Sequence, residues 1–350
     1  MRSRLKKKFA SYSLTICLAV FVCVTVAEVT LRLFGIGYGN APLESDPYLH
    51  HVHPRNYSYR VHTPSGEYGG HEVHYNVERI RADPALISDS GDRELVLVVG
   101  DSFVESTQVA YEDTFVGMLD QRMSAYQFVN MGVGSYSPVL SLLQLRHTKL
   151  ETPRLILHLL YRNDPTDDKT YMKLAKIGDD GEILAIPGAG EDPFHHPLLR
   201  FLRKSYLVRL VRKGQLQMAW LLSHREPLRS GRIVEHNLPL AEESEKALIS
   251  IAKLASEHCA KYVLMSVPSE VILHSGNMLQ QDKFSSSVQR FARHHEIDYI
   301  DLEPVFLAGM TSETNPFLEN DIHFSAFGHE LVASAVEKYL LSWTMSSCLD

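Results

Sequence analysis

Polar residues that could carry out nucleophilic chemistry stand in four short blocks of this sequence. The blocks are GDS at 100–102, NMGVGS at 130–135, RND at 162–164 and NDIHFSAFGHE at 320–330. A serine hydroxyl becomes an effective nucleophile when a histidine accepts its proton and a carboxylate orients that histidine. We therefore expect Ser102 to be the nucleophile, His323 the base and Asp321 the residue that orients the imidazole.

The tetrahedral intermediate of such a reaction carries a negative oxygen, which needs hydrogen-bond donors already in place. The backbone N–H groups of Ser102, Gly134 and Ser135 and the side-chain amide of Asn163 are the donors that the sequence offers. All of them follow predicted strands. We expect them to form the oxyanion hole.

Strands and helices that would position these blocks alternate along the chain. Strands are predicted in ELVLVVG, YQFVNMG, RLILHLLY, KYVLMSVP and IDYIDL, with helical patterns between them, including 241–258, 281–295 and 327–343. Such alternation predicts an α/β fold with a parallel sheet and helices on both faces. Ligands of such sheets bind at the carboxyl ends of the strands, where three of the four blocks lie.

Two segments depart from this alternation. Residues 40–93 are rich in His, Tyr, Pro and Gly and contain short alternating runs, which predicts a β-rich lead-in. Residues 165–238 interrupt the pattern with a polar stretch and a basic helical segment, which predicts a cap-like insertion. The main domain is then expected over 94–345.

The N-terminus predicts a membrane anchor. Residues 1–8 are strongly basic, and no charged residue occurs from Phe9 to Ala27. A helix of that length reaches roughly 28 Å, about one bilayer core. We expect a single-pass anchor over 9–34 in the inner (cytoplasmic) membrane, with the basic flank in the cytoplasm and the main domain periplasmic or extracellular. A cleaved signal peptide is the alternative.

Composition gives no indication of a nucleic-acid-binding protein or of a metal site. The net charge of −7 gives no sign of a nucleic-acid partner, and four cysteines form no metal-binding spacing. The histidines of the lead-in lack a metal-ligand spacing such as HExxH, so we expect a solvated or substrate-facing loop rather than a metal site. Oligomeric state is not predicted.

The four blocks together resemble the SGNH, or GDSL-type, serine hydrolases, and the lead-in resembles a membrane-anchored bacterial branch of that family. The resemblance implies a flavodoxin-like three-layer α/β/α fold and ester hydrolysis without metal or cofactor. It implies that Ser102 is the nucleophile and an oxyanion donor through its amide, that Asn163 is the side-chain oxyanion donor and that His323 is the base.

Three positions depart from the family pattern. Ser135 stands where the family has a glycine that supplies a backbone N–H, and we expect serine to serve there provided that its backbone conformation is not one reserved for glycine. The common Asp-x-x-His spacing would place the orienting carboxylate at Asn320, so Asp321 is expected in that role, as in branches that include the alginate acetylation proteins. Arg162 replaces a glycine and is expected either to narrow the pocket or to bind a substrate anion.

Three functions remain open at this stage. The first is an extracytoplasmic esterase acting on O-acylated glycans or other envelope esters. The second is an O-acyltransferase that passes the same acyl group to a polysaccharide hydroxyl. The third is a non-catalytic scaffold or carbohydrate-binding subunit.

The basic helical segment within 200–213 is compatible both with a face on anionic lipid headgroups and with a solvated face of a cap helix.

Overall fold

The computed structural model describes residues 2–39, 43–82, 93–148, 152–188, 202, 204–223, 238–275, 282–311 and 313–343. Parts of the predicted lead-in and insertion, including Arg200 and Arg203 of the basic segment, lie outside these described residues.

Five parallel strands form the central sheet. They are β5 (Glu94–Gly100), β6 (Tyr126–Asn130), β7 (Leu155–Leu160), β10 (Lys261–Ser266) and β11 (Asp298–Ile300). Their spatial order is β11-β10-β7-β5-β6. Numbered by their sequence within the sheet, this is 2-1-3-4-5, the flavodoxin-like order. The predicted fold class is therefore confirmed.

Helices cover both faces of the sheet. One face is packed by α3 (Phe115–Arg122), α10 (Glu303–Gly309) and α11 (Ala326–Ser342). The other is packed by α4 (Pro138–His147), α5 (Asp164–Met172), α7 (Glu242–Glu257) and α9 (Lys283–His294). The strands alternate between two buried clusters: in β5, Val96 and Val98 face the first set of helices, whereas Leu97 and Val99 face the second. Burial on both faces explains the continuous apolar runs of the sequence.

The lead-in forms two antiparallel hairpins. The first pairs β1 (Glu44–Asp46) with β2 (His50–Val52), and the second pairs β3 (Tyr57–His62) with β4 (Gly69–Tyr75). Just after β4, the fully buried guanidinium of Arg81 donates hydrogen bonds to the backbone carbonyl oxygens of Glu105, Ser106 and Val109. The lead-in is thus hydrogen-bonded directly to the main sheet unit. The predicted boundaries at 40 and 94 stay predictions.

The described part of the insertion is mixed in structure. Its first residues belong to α5, which packs on the sheet, and the rest contains the antiparallel pair β8 (Lys176–Ile177) and β9 (Ile183–Ala185) and the helix α6 (Tyr206–Ser223). The main domain also contains two short α-helices, α2 (Ser102–Glu105) and α8 (Glu270–Ser275), and a 3₁₀ helix over Tyr111–Asp113. The first helix, α1 (Arg2–Leu33), contains a 22-residue segment, Tyr12–Leu33, which is long and apolar enough to cross a membrane.

Candidate active site

The candidate nucleophile follows the turn at the end of β5. Gly100 has φ +152°, and a Cβ there would lie 2.6 Å from the carbonyl oxygen of Leu159, so only glycine fits. Asp101 is buried and accepts a hydrogen bond from the N–H of Phe103 at 2.9 Å, which caps α2. Ser102, between two buried residues, is itself only half-buried. The turn therefore leaves its hydroxyl accessible at the switch point between β5 and β7, where flavodoxin-like sheets bind ligands.

Ser102, His323 and Asp321 are in contact, although the first two are 221 residues apart in the chain. His323 Nε2 lies 2.7 Å from Ser102 Oγ, and His323 Nδ1 forms a short hydrogen bond with Asp321 Oδ1. The backbone N–H of His323 donates to the same carboxylate oxygen at 3.2 Å, which closes the Asp-x-His loop. Burial alone would raise the pKa of Asp321, but the hydrogen bonds and charge of His323, together with the hydrogen bond from Tyr68, outweigh it and the pKa is lowered. The carboxylate is thus held ionised next to the imidazole.

The turn between β3 and β4 holds this loop from the other side. The Tyr68 hydroxyl donates a hydrogen bond of 2.8 Å to Asp321 Oδ2, and the Glu67 carboxylate accepts the backbone N–H groups of Glu319 and Asn320. Asp321 therefore has a donor on each oxygen: His323 on one, Tyr68 on the other. Asn320 contributes its backbone N–H to the Glu67 contact, whereas Asp321 contacts the imidazole.

The second block forms a loop that packs tightly on α2. A Cβ at Gly132 would lie 2.1 Å from the backbone nitrogen of Glu105, which requires glycine there. The N–H of Gly134 donates to Glu105 Oε2 at 2.7 Å, and the other carboxylate oxygen of Glu105 accepts from the Tyr75 hydroxyl. The prediction that the N–H of Gly134 is an oxyanion donor is wrong, because this N–H already donates to the buried carboxylate of Glu105.

Ser135 is the remaining backbone donor of this loop. Its φ of +65° is the left-handed conformation that favours glycine, so the condition set for a serine at this position is not met and the serine is held in a conformation that is costly for a residue with a side chain. Its carbonyl oxygen accepts the Tyr171 hydroxyl at 3.0 Å. Within the described residues, no acceptor contacts the N–H of Ser135 or that of Ser102. Both amides are therefore available as donors.

Histidines of the lead-in support the same loop. His51 Nε2 lies 2.9 Å from the carbonyl oxygen of Gly134, and the carbonyl oxygen of His51 accepts the Tyr136 hydroxyl at 2.8 Å. His51 and His53 are buried, and burial lowers the pKa of both. The expectation of a solvated or substrate-facing histidine loop is therefore wrong for these two residues. In the described residues no cluster of three or more histidine, cysteine or acidic side chains forms a metal site.

Asn163 stands directly after β7 at the start of α5. Its side-chain Nδ2 donates to Asp167 Oδ2 at 2.7 Å. The amide has a second N–H, and the Asp167 contact restricts its rotation. Asn163 thus follows β7, the neighbour of the strand that precedes Ser102, and its role as an oxyanion donor stays a prediction.

Arg162 does not face a substrate space. Its side chain is 3% exposed, and Nη2 contacts Asp282 Oδ2 at 3.2 Å at the N-terminus of α9. The prediction that Arg162 binds a substrate anion or narrows the pocket is therefore wrong, because its guanidinium is paired with Asp282 inside the protein. It joins the end of β7 to the start of α9 instead.

Buried carboxyl groups lie beneath the site. Burial raises the pKa of Asp101 to about 7, against the lowering effects of its hydrogen bond from Phe103 and of nearby His323. Burial also raises the pKa of Asp164, helped by the nearby charge of Asp101. Asp164 Oδ2 accepts the N–H of Tyr161 at 3.0 Å, which fixes the turn after β7. Asp101 and Asp164 therefore organise the strand ends and do not contact the nucleophile hydroxyl.

The residues that sequence reasoning missed are Glu67, Tyr68, Glu105 and His51. Glu105 carried a signal, because a second acidic residue follows the apolar pair Phe103 and Val104 in the GDSFVES stretch. Tyr68 carried none, since 253 residues separate it from Asp321.

Comparisons with known proteins give a likeness among solved structures only. No family model matches this chain, and no curated protein matches it. An acetylxylan esterase variant from Geobacillus stearothermophilus is 14% identical, with a TM-score of 0.42, and the match covers 73% of this chain and 99% of that one. A member of the lipolytic protein G-D-S-L family from Veillonella parvula DSM 2008 is 13% identical, with a TM-score of 0.40 and coverage of 71% and 100%. An esterase from Pseudoalteromonas sp. is 11% identical, with a TM-score of 0.37 and coverage of 71% and 98%. Similarity at this level does not establish an activity, so function rests on the geometry of the site.

Proposed function

We propose that this protein is a serine esterase of the SGNH type, anchored in the inner membrane by α1, that cleaves O-acyl esters of an extracytoplasmic envelope substrate. The observation that carries the proposal is the Ser102–His323–Asp321 contact chain. It unites a half-exposed hydroxyl, an imidazole at 2.7 Å and an orienting carboxylate from distant parts of the sequence. A scaffold would not require this arrangement.

The acylation step follows from these positions. Ser102 Oγ attacks the ester carbonyl carbon while its proton passes to His323 Nε2, and the carbonyl oxygen becomes an oxyanion. The N–H groups of Ser102 and Ser135 and the Asn163 amide are the donors proposed to stabilise that charge. The C–O bond to the alcohol then breaks, and His323 returns the proton to the leaving oxygen. Asp321 stabilises the imidazolium between these steps.

Deacylation repeats the sequence with water. His323 Nε2 takes a proton from the water molecule, the hydroxide oxygen attacks the acyl carbon, and the Ser102 ester bond breaks as Oγ regains the proton. If a sugar hydroxyl replaces water, the same acyl-enzyme yields an O-acylated glycan instead of a free acid. The chemistry of the residues is identical in both cases.

The test uses the full chain purified in detergent, with a short-chain p-nitrophenyl ester and a fluorophosphonate probe. We expect nitrophenol release and covalent labelling, both lost in Ser102→Ala. The control is Ser106→Ala, which changes a buried serine of the same turn whose hydroxyl bonds to backbone carbonyls. Turnover that survives Ser102→Ala would overturn the nucleophile assignment. Absence of both turnover and labelling in the unmodified protein would favour the scaffold.

A second arm separates hydrolysis from transfer. The acyl donor is supplied with and without acetyl-free oligosaccharide acceptors, and the products are analysed by mass spectrometry. An esterase produces free acid at a rate that the acceptor does not change. Acylated sugar formed at the expense of free acid would identify a transferase.

A further inference from the structure

Helix α6 presents an apolar stripe that nothing in the described residues covers. Its exposed side chains include Val208, Val211, Met218, Leu221 and Leu222, with exposed fractions from 39% to 77%. At 100° per residue these positions fall on one half of the helix surface. An exposed apolar face of this kind marks an interaction surface.

The opposite side of α6 contacts the lead-in. The Arg209 guanidinium donates to the Tyr57 hydroxyl at 2.7 Å, and the Lys213 ammonium lies 3.7 Å from the centre of the Tyr38 ring. The Tyr206 ring packs so closely on Gly37 that a Cβ there would lie 2.6 Å from it. The domain therefore covers one side of α6 and leaves the apolar stripe facing away from it.

The start of α6 is fixed to the end of α1. The Glu28 carboxylate accepts hydrogen bonds from the Ser205 hydroxyl at 2.8 Å and from the backbone N–H groups of Tyr206 and Leu207 at 3.0 and 2.9 Å. Arg32 donates to the carbonyl oxygen of Lys204 at 2.7 Å. Glu28 and Arg32 are the charged residues at the C-terminal end of the apolar helix. These contacts place the first turn of α6 beside the charged C-terminal end of α1.

We propose that α6 lies in the interface of the membrane that α1 spans, with its apolar stripe on the acyl chains and the domain on its other side. This inference rests on the anchor of the proposed function but not on the catalytic residues. The stripe begins near the charged C-terminal end of α1, and the exposed basic residue Arg212 beside it suits anionic headgroups. An apolar face at that level would meet lipid before it met water.

The test measures lipid contact directly in the full chain. The four cysteines of the sequence are replaced by serine or alanine, and one bimane-labelled cysteine is introduced at position 218, 249 or 24. The protein is placed in nanodiscs of phosphatidylcholine and phosphatidylglycerol that carry doxyl-labelled lipid. Ile249, on α7, is the matched control because it is also an exposed apolar helix residue. Val24 reports the anchor.

We expect doxyl lipid to quench bimane at position 218 about threefold more than at position 249, with strong quenching at position 24. Adding Val211→Asp to the position-218 variant should reduce that quenching, whereas Val211→Leu should preserve it. Equal, weak quenching at 218 and 249 with strong quenching at 24 would overturn the α6 inference and leave the anchor intact. Weak quenching at 24 would overturn the anchor and this inference together. Crosslinking of position 218 to a second copy without quenching would make the stripe a contact between protomers and also overturn it.

Discussion

Asp321 receives hydrogen bonds on both oxygens, two from His323 on one and one from Tyr68 on the other. A carboxylate fixed in this way cannot rotate away from the imidazole that it orients. The GDS and DIH blocks were recognisable from the sequence because they are short and local. Tyr68 was not, because its partner is far along the chain and its own neighbours carry no motif.

The Tyr68 contact predicts a measurable change. Tyr68→Phe removes a donor that helps to lower the pKa of Asp321, so that pKa should rise. We expect kcat for the p-nitrophenyl ester to fall about tenfold with KM unchanged, and the acidic limb of the kcat profile to move to higher pH. Tyr339→Phe is the matched control, since it removes a tyrosine–aspartate hydrogen bond to Asp298 outside the site. An unchanged pH profile in Tyr68→Phe would show that the contact is merely structural.

The choice between Asp321 and Asn320 is also testable. Asp321→Asn should lower kcat by a factor on the order of 10⁴, because the imidazole loses the acceptor that sets its tautomer. Asn320→Ala should be nearly neutral, since only the backbone N–H of Asn320 contacts Glu67. Steady-state kinetics of the two variants decides the point, and the reverse ranking would show that Asn320 supports the base.

Strands and helices of the main domain were predictable because their patterns are local. Buried parallel strands produce apolar runs, and the helices predicted over 241–258 and 281–295 occur as Glu242–Glu257 and Lys283–His294. The contacts between elements were not predictable in this way. Whether Gly134 offers its N–H to a substrate depends on Glu105, and whether Arg162 faces the pocket depends on Asp282. Both contacts arise from packing between separate elements.

Substitution of Arg81 tests whether the lead-in folds as one unit with the main domain. Arg81→Met would remove the guanidinium donor from the buried carbonyl oxygens of Glu105, Ser106 and Val109, and the oxygen of Ser106 would keep only the N–H of Val109. We expect the free energy of unfolding to fall by about 3–5 kcal/mol, with loss of activity because α2, which Arg81 holds at its C-terminal end, begins at Ser102. Arg79→Met is the control, since its guanidinium pairs only with the exposed Glu44 within the described residues. Urea unfolding in detergent measures both, and equal stability of the two variants would contradict the role of Arg81.

The protein as a whole carries buried groups whose protonation is linked to folding. Burial raises the pKa of Asp168 to about 7, although its Oδ1 accepts the N–H of Val139. The folded state therefore holds this proton more tightly than the unfolded chain. Its contribution to stability is fully present below the ordinary pKa near 3.8 and is lost as the pH rises through about 7. Burial lowers the pKa of His158 and His329 from 6.5 to about 3. Their contribution to the free energy of unfolding therefore has the opposite pH dependence: it is present above about 6.5 and is lost as the pH falls towards 3.

Comparing variants isolates the Asp168 contribution. Between pH 4 and 7 the difference in unfolding free energy between the unmodified protein and Asp168→Asn should change by up to about 1.4 kcal/mol per pH unit, in favour of the variant as the pH rises. Glu257→Gln, which removes an exposed charge on α7, should leave the slope unchanged. Parallel stability curves for the unmodified protein and Asp168→Asn would show that the aspartate titrates alike in both states.

The attachment of α6 to Glu28 determines how a fragment without α1 should behave in solution. A version that begins at Leu43 would keep Glu67, Tyr68 and Arg81, and so all the lead-in contacts that support the catalytic loops. It would also keep the Val211 and Met218 stripe while losing the carboxylate that caps the helix carrying it. Such a fragment should remain chemically competent yet self-associate in plain buffer, and replacing those two side chains with polar ones should make it monodisperse.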